Sequence, residues 1–364
     1  MKRLAWRNLA GQERVKEMLG AAFARGTLGH AYLFCGGEGV GTFQAAAELA
    51  TALLCTGSGT DAPCGECDSC RKAAHNAHPD LGIVLPVALR KEHRGGGSLS
   101  QEGWEYLSQS VQQRLAAPYE TPPADALRTI PVEWIREVTH AVLRGAVAGR
   151  HHVAIMCGVE LMNKESANAM LKTLEEPPLG SVMLLCTESP LDVLPTIRSR
   201  CQVVRFGRLP DDDIREGLRR TGVPALDDEA MRAVVSGAQG SLGAAIELAR
   251  EPHPEALTQA RTLWDLAGRT DLTGFADGVE RLAEGLDAGS AERLLIYCTH
   301  IVRERLVAGV TGAASVDAGR AERLLALCGR AVHAVRARGI IPLALLDFVY
   351  EAREILDGQE QQPG

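Results

Sequence analysis

The chain has 364 residues, of which 46% are hydrophobic and 23% charged, and its formal net charge is −7. This length favours two or three domains over one core, and the acidic charge with only 4% aromatic residues argues against autonomous nucleic-acid binding. No apolar run approaches the roughly 20 residues that span a bilayer, and the N-terminal residues lack a secretory-signal pattern, so we expect a cytoplasmic protein.

The first distinctive stretch is a glycine-rich turn between an apolar run and a helical pattern. Residues 30–35 predict a buried strand, and residues 44–54 predict a helix. Strand, glycine loop and helix form the architecture that cradles phosphates. A working loop ends in Lys followed by Ser or Thr, whereas this chain has Thr42 and Phe43. The pattern therefore predicts the shape of a nucleotide pocket without its charge. The loop glycines are Gly36, Gly37, Gly39 and Gly41.

Four of the ten cysteines lie within residues 55–70, directly after this helix. Their spacing is C-x8-C-x2-C-x2-C. Four thiolates satisfy the tetrahedral preference of Zn²⁺ and leave no open position, so we expect a structural rather than a catalytic zinc site. The alternatives are four unrelated cysteines, or a ligand set that includes His75 or His78. We expect these histidines to be ordinary surface or helix-end residues. The expected ligands are Cys55, Cys64, Cys67 and Cys70.

Strand and helix patterns alternate up to residue 207, which predicts a parallel α/β sheet. Residues 88–128 interrupt this alternation with a Gly-Gly-Gly-Ser stretch and three prolines. We interpret them as a flexible insertion in which residues 101–115 could form one polar helix. The other predicted strands are 78–87, 152–157, 182–187 and 203–206, and the predicted helices lie within 6–26 and over 129–143 and 163–176.

The strand signal ends near residue 208, and the remainder predicts helices only. These helices are 211–221, 227–236, 242–251, 255–268, 272–286, 290–310, 318–337 and 342–356. The fold class is therefore α/β followed by all-α. The predicted divisions are an α/β domain over 1–207, a small helical lid domain over 208–251, a C-terminal helical domain over 255–357 and a disordered tail over 358–364.

Three features, in this order, carry a resemblance to a known family. They are the four-cysteine segment after the loop helix, SANAMLKTLEEPP at 166–178, and TIRSRC at 196–201. With them, nearly the whole chain outside 88–128 resembles the clamp-loader branch of the AAA+ proteins, and within it the delta-prime type of subunit of bacterial DNA polymerase III. The resemblance implies an AAA+ α/β domain, a helical lid, and a C-terminal collar that is shared with the other subunits.

The resemblance also identifies the positions at which active members of the family bind ATP. Their Asp-Glu pair, which holds Mg²⁺ and polarises water, matches Cys157 and Gly158, while Glu160 lies two residues too late. Their Gly-Ser-x-Arg arginine matches Gly243, and Thr187 matches their polar sensor. The loop Lys and hydroxyl are also absent, so the resemblance implies no functional ATP site.

One charged element of the family is kept, Arg200 in the sequence Ser-Arg-Cys. The resemblance implies an arginine finger that reaches the ATP of a neighbouring subunit, because a guanidinium is always charged and presents a rigid fork to phosphate oxygens. The alternative is a surface arginine that pairs with Asp192 or Glu188. Arg198 is a rival for the role but falls outside the motif.

The implied function is that of a non-hydrolysing stator subunit of the clamp loader. It would assemble with delta and the gamma/tau ATPase subunits, and through them act on the sliding clamp and primed DNA, with zinc as its cofactor and no membrane partner. We expect Glu175 and Glu176 to be solvated or interface groups, and Lys172 to be a possible partner or DNA contact. Two alternatives stay open: a weak ATPase that uses residues such as Glu160, and a zinc module that binds DNA by itself.

Overall fold

A computed structural model describes residues 2–95, 98–120, 128–250, 254–268, 272–310, 318–336 and 340–357. The chain forms two compact units. The first contains Met1–Arg220 with Ser241–Gly243, and the second contains Thr221–Gly240 with Ala244–Gly364. The division into three domains expected from the sequence is finer than this and stays a prediction. The expected disordered tail lies outside the described residues.

The first unit is built on a five-stranded sheet in which all neighbouring strands are parallel. The strands of the chain are β1 Arg3–Leu4, β2 Ala31–Cys35, β3 Asp61–Ala62, β4 Leu81–Val84, β5 Arg94–Gly95, β6 Ser98–Leu99, β7 His152–Cys157, β8 Ser181–Thr187 and β9 Gln202–Arg205. The order in the main sheet is β4–β7–β8–β2–β9. Every residue of β2, β7 and β8 is buried, as expected for a parallel sheet that is covered on both faces.

The longer helices lie close to their predicted positions, while the short helices α3 and α7 were not predicted. In the first unit they are α1 Glu13–Arg25, α2 Thr42–Leu54, α3 Asp68–Ala74, α4 Gln101–Ala116, α5 Val132–Arg144, α6 Lys164–Glu175, α7 Pro195–Arg198 and α8 Asp211–Arg220. Asn163 begins α6 in the usual way, because its side chain accepts a hydrogen bond from the Ser166 N–H at 2.8 Å. The α/β class predicted for this part of the chain is confirmed.

The insertion contains more ordered packing than the sequence predicts. β5 and β6 pair antiparallel, and Ser100 caps α4 by accepting a hydrogen bond from the Gly103 N–H at 3.1 Å. Leu107 and Val111 of α4 are each 1% exposed and belong to the core of the sheet. The single helix expected over residues 101–115 is confirmed as α4, while the sequence did not predict that buried apolar residues of this helix fix it to the core. The interpretation of the whole insertion as flexible stays a prediction.

The second unit is helical in its described residues, as predicted. Its helices are α9 Asp228–Gly237, α10 Leu242–Arg250 (whose first two residues belong to the first unit), α11 Pro254–Ala267, α12 Leu272–Ala283, α13 Ala288–Val310, α14 Ala318–Arg336 and α15 Ile341–Asp357. Trp264 of α11 is at the centre of their core. Its ring meets Phe348 edge-on at 5.4 Å, and its Nε1 donates to the Cys298 carbonyl at 3.3 Å. A buried indole thus keeps its one donor satisfied.

We find no helix in the described ranges with the length and apolar character that crossing a membrane would need.

Candidate functional site

The glycine loop, residues 36–41, follows β2 at the carboxyl edge of the sheet and leads into α2. Gly39 and Gly41 have φ of 70° and 105°, which side chains disfavour, and Gly41 caps α2. The Gly36 N–H donates to the Thr187 carbonyl at 3.1 Å, which ties the loop to the end of β8. Thr187 is itself buried. The backbone of a phosphate-cradling loop is therefore present.

A short segment with Ser241 and Gly243 closes over this loop. The Gly243 N–H donates to the Gly39 carbonyl at 3.2 Å, and Ser241 Oγ donates to the Glu38 carbonyl at 2.8 Å. A Cβ on Gly243 would lie 2.3 Å from the Tyr119 carbonyl oxygen and 2.9 Å from the Gly39 Cα. Position 243, where the resemblance expects an arginine in active proteins, has room for glycine alone in this arrangement.

The positions expected for the acidic pair lie where β7 ends. Cys157 is buried and stands opposite Cys186 of β8 in the sheet register. Gly158 has φ of 65°. Glu160 is the nearby carboxylate suggested by the sequence, and its Oε1 accepts a hydrogen bond from the Glu188 N–H at 3.2 Å. One oxygen of the Glu160 carboxylate therefore holds the end of β8, while the other, Oε2, is buried without a hydrogen-bond partner.

The cysteine cluster, consisting of Cys55, Cys64, Cys67 and Cys70, brings its four Sγ atoms within 4.8 Å of one another. Sulfurs around tetrahedral Zn²⁺, at Zn–S distances of about 2.3 Å, lie about 3.8 Å apart. The Cys64 and Cys70 Sγ atoms are 3.9 Å apart. A Cβ on Gly57 would come within 2.7 Å of Cys64 Sγ, so a glycine there leaves room for the cluster. These four residues fit a metal ion with a preference for thiolates.

Local hydrogen bonds prepare two of the four thiols to lose their protons. Burial by itself raises the pKa of Cys67, but N–H and hydroxyl donors from Cys70 and Thr56 outweigh it and lower this pKa to about 5. The Cys67 N–H donates to Cys64 Sγ at 3.3 Å and lowers the pKa of Cys64. Burial raises the pKa of Cys70 to about 12. A bound cation would supply the charge that keeps this last thiolate ionised.

The two nearby histidines make other contacts. His75 Nδ1 lies 2.8 Å from the Arg71 carbonyl oxygen at the end of α3, and the buried His78 accepts a hydrogen bond from the Asp80 N–H at 3.1 Å. Neither belongs to the group of four sulfurs among the described residues. The expectation of ordinary surface or helix-end residues is confirmed for His75, which caps α3, and is wrong for His78, which is buried.

The N-terminal residues anchor the cysteine cluster to the sheet domain. β1 pairs in parallel with β3, and Arg3 forms an ion pair with Asp61 at 3.1 Å. The Arg7 guanidinium donates to the carbonyls of Pro63 and Cys64, at 3.1 and 2.8 Å. The cluster is thus built into the first unit and does not hang from it as a separate module.

Arg200 lies in the turn between α7 and β9, and its side chain is 35% exposed. Its guanidinium forms an ion pair with Glu175 Oε1 at 2.6 Å and donates to the Thr196 carbonyl at 2.8 Å. Arg198 is also half-buried and donates to the Pro190 carbonyl at 3.1 Å. Arg200 differs from Arg198 in its ion pair with a carboxylate.

The ion-pair partner of Arg200 differs from the partners that the sequence suggested. Arg200 pairs with Glu175 at the end of α6, and not with Asp192 or Glu188 in the neighbouring turn. Sequence distance hid this pair, since α6 and the turn after α7 meet only in the folded chain. Glu176 and Lys172, at the same end of α6, are exposed.

The sequence was compared with known families and proteins. The family model described as "DNA polymerase III, delta subunit" matches residues 11–210, which include the glycine loop, the cysteine cluster and Arg200.

The chain belongs to the clamp-loader family of DNA polymerase III.

Individual clamp-loader proteins align with different fractions of this chain. A DNA polymerase III subunit gamma/tau of Mycobacterium tuberculosis is 30% identical over 76% of this chain and 42% of its own length. A DNA polymerase III subunit delta' of Pseudomonas aeruginosa is 31% identical over 47% of this chain and 41% of its own length. This clamp-loader chain thus spans less than half the length of either relative. A solved gamma subunit-related protein of Thermotoga maritima covers 93% of this chain and 98% of its own, at 15% identity and a TM-score of 0.43.

Sequence reasoning missed two residues beside the glycine loop of this clamp-loader subunit. Tyr119 is buried against Gly41, and the Arg114 guanidinium carbon lies 4.8 Å from the centre of the Phe43 ring. Both come from the insertion, which the sequence presents as polar and rich in proline. A single tyrosine after Pro118 has no periodic signal, so only the folded chain reveals it.

Proposed function

We propose that this chain is a non-hydrolysing, delta-prime-type stator of the clamp loader. It works in the cytoplasm, assembles with delta and the gamma/tau ATPase subunits, and helps them load the sliding clamp on primed DNA. Its C-terminal helices contribute to a collar that the subunits share. The carrying observation is that the glycine loop has its backbone shape, while the positions of the loop Lys and hydroxyl, the acidic pair and the sensing arginine all carry residues that cannot play those roles.

Several independent losses support the absence of hydrolysis. Thr42 and Phe43 supply no cation and no metal-binding hydroxyl at the second position, and Cys157 and Gly158 supply no carboxylate. Gly243 supplies no guanidinium. A phosphoryl-transfer site works by stabilising charge in the transition state. The loop cation, the metal ligand and the water-orienting group are all missing from the positions where active members carry them.

We propose that Arg200 acts as an arginine finger on ATP bound by the adjoining subunit. Its position at an accessible turn supports this role, and its ion pair with Glu175 holds the guanidinium in place before assembly. Such a pair at the surface is worth about 0–1 kcal/mol. It is therefore weak enough to exchange for a triphosphate, which offers more negative charge and bidentate geometry.

The test is a clamp loader reconstituted with Arg200→Ala. We expect normal assembly, but turnover at the adjoining ATP site reduced by about 10³-fold or more, the usual value of an arginine finger. Arg136→Ala is the matched control, because Arg136 forms an ion pair of 2.7 Å with Glu165 on the same helix α6. Single-turnover ATPase and size-exclusion chromatography give the two readouts. Full ATPase activity with Arg200→Ala would refute the proposed role.

We propose that the cysteine cluster holds a structural Zn²⁺. Four thiolates leave no ligand position open, so the ion would cross-link the chain between α2 and α3 and take no part in hydrolysis. The position of the cluster, anchored by Arg3 and Arg7, favours a role in stabilising the first unit over recognition of DNA.

The rival function is a weak ATPase that relies on Glu160. The similarity to gamma/tau, which the family resemblance identifies as the ATPase subunit, makes this rival worth testing. Against it, the Glu160 carboxylate accepts a hydrogen bond from the backbone of Glu188. The purified chain should show no ATPase above background. Turnover by the chain alone that disappears in Glu160→Gln would favour the rival.

A further inference from the structure

The insertion places one aromatic side chain directly in front of the glycine loop. Tyr119 follows α4 and is 4% exposed, although the surrounding segment is polar. A Cβ added to Gly41 would lie 3.2 Å from the Tyr119 ring, and one added to Gly243 would lie 2.3 Å from the Tyr119 carbonyl oxygen. The tyrosine is therefore enclosed between two strictly small positions of the loop region.

The Tyr119 hydroxyl makes a pair of hydrogen bonds with the segment that precedes α1. It donates to the Asn8 carbonyl at 3.0 Å and accepts from the Ala10 N–H at 2.8 Å. A backbone acceptor and a backbone donor two residues apart can bind any planar group that offers a donor beside an acceptor. The edge of adenine is such a group, with its amino group next to a ring nitrogen. The phenol satisfies the same two backbone groups from within the chain.

A second side chain of the insertion covers the start of α2. The Arg114 guanidinium lies over the ring of Phe43, the second residue of α2. The N-terminus of a helix favours anions, such as the phosphates of a nucleotide. Here an aromatic ring and a cation lie at that end of α2. Burial lowers the pKa of Arg114, while the carboxylates of Glu38 and Glu188 act to raise it.

The rest of α4 holds these two side chains in position. Leu107 and Val111 are each 1% exposed in the core, and a Cβ on Gly103 would lie 2.3 Å from the His93 carbonyl oxygen. The His93 ring stacks on Tyr106 with centres 4.3 Å apart. One face of the segment from β6 to Tyr119 is thus buried at intervals along its length.

We propose that the insertion is an internal occupant of the nucleotide pocket, with Tyr119 filling the place of a purine base and Arg114 covering the place of the phosphates. The pocket is then closed to nucleotides as well as unable to hydrolyse them. This inference rests on the proposed function in taking the chain as a non-hydrolysing subunit. It gives residues 98–120 a role that the clamp-loader family model does not assign.

Adenosine is the probe, since it needs the base site and not the missing phosphate ligands. Isothermal titration should detect no saturable binding to the native full-length chain. Tyr119→Ala should bind adenosine at least tenfold more tightly, because it vacates the site and frees the two backbone groups. Equal affinities in the two chains, including no binding in either, would overturn the proposal, as would tight binding by the native chain. Trp104→Ala is the matched control, because it truncates an exposed aromatic residue of α4 in the same insertion, and it should leave binding unchanged.

A second measurement keeps the proposal testable if Tyr119→Ala fails to fold by circular dichroism. Tyr119→Phe keeps the ring and removes the hydroxyl, so adenosine should stay excluded. Hydrogen exchange of the Ala10 amide should then become about fivefold faster, as expected for the loss of one hydrogen bond. Unchanged exchange would show that Tyr119 does not close this site. Neither experiment involves Arg200 or the assembled clamp loader, so a failure here is separate from a failure of the stator function.

Discussion

The two ends of helix α2 adjoin two different candidate ligand sites, the glycine loop at its start and the cysteine cluster at its end. At the start, Gly41 caps the helix and the glycine loop has the backbone of a ligand site but none of the side chains. At the end, Cys55 caps the helix and begins a complete set of four sulfur ligands. A backbone loop can persist because it is part of the packing of the sheet. Four thiols gathered in one place are better explained by a shared metal ion than by packing, which is the basis for the proposed zinc site.

Removing one ligand from the cysteine end should have the largest effect. We expect Cys67→Ser to lose the metal and to reduce the free energy of unfolding by about 5 kcal/mol or more, because binding of structural zinc is coupled directly to folding. Metal analysis of native protein prepared without chelator should give about one Zn²⁺ per chain. Cys201→Ser, a partly buried cysteine outside the cluster, should keep its metal. If Cys67→Ser kept its full metal content, the metal would not be bound at the cysteine cluster.

Restoring side chains at the glycine end should cost stability and bring no activity. Phe43 is 1% exposed, so the double variant Thr42→Lys/Phe43→Thr should lose about 3 kcal/mol through the cavity it leaves. ATPase should stay at background, because the variant still lacks the acidic pair. Thr42→Lys alone should be close to native in stability. Chemical denaturation and a phosphate-release assay measure both quantities. Hydrolysis by the double variant would mean that the loop is only two residues away from a working enzyme.

The smallest effect is expected at the ion pair beside Arg200. Glu175→Gln should change the free energy of unfolding by less than about 1 kcal/mol, as for other exposed pairs. In the reconstituted clamp loader, ATPase at the adjoining site should be unchanged or slightly higher, since the guanidinium is released more easily. Glu165→Gln, the equivalent change at the Arg136 pair, is the control. A loss as large as that of Arg200→Ala would place Glu175 in the catalytic arrangement itself.

The sequence predicts most of the secondary structure because the signals are local. β7 matches its predicted range of 152–157, because an apolar run of only six residues is long enough for a buried strand and short for a helix. α6 begins one residue after Asn163, a good capping residue, and ends before Pro177. α4 shows the limit of this reasoning. Most residues of α4 are polar, and only Gly103, Leu107 and Val111 are buried. Its position is therefore decided by tertiary contacts that the local sequence does not show.

In the candidate site too, contacts between residues close in sequence could be predicted, and contacts between distant residues could not. The four cysteine ligands lie close together in sequence, so their spacing alone indicates a shared ligand. The pair of Arg200 with Glu175, and the bonds of Tyr119 with Asn8 and Ala10, join residues that are far apart in the chain. Nothing in the composition of either partner predicts such a contact, because it depends on how α4 and α6 pack on the sheet.

Gly243 is closely surrounded by Tyr119 and Gly39, which limits the residues that position 243 can carry. Any larger residue at this position meets the carbonyl oxygen of Tyr119 and the backbone of Gly39. Reintroducing a phosphate-sensing arginine there would first require the insertion to withdraw. Under the proposed function, an arginine at position 243 would therefore not restore hydrolysis by itself: Tyr119 would have to move, and several distant positions would still lack their catalytic side chains.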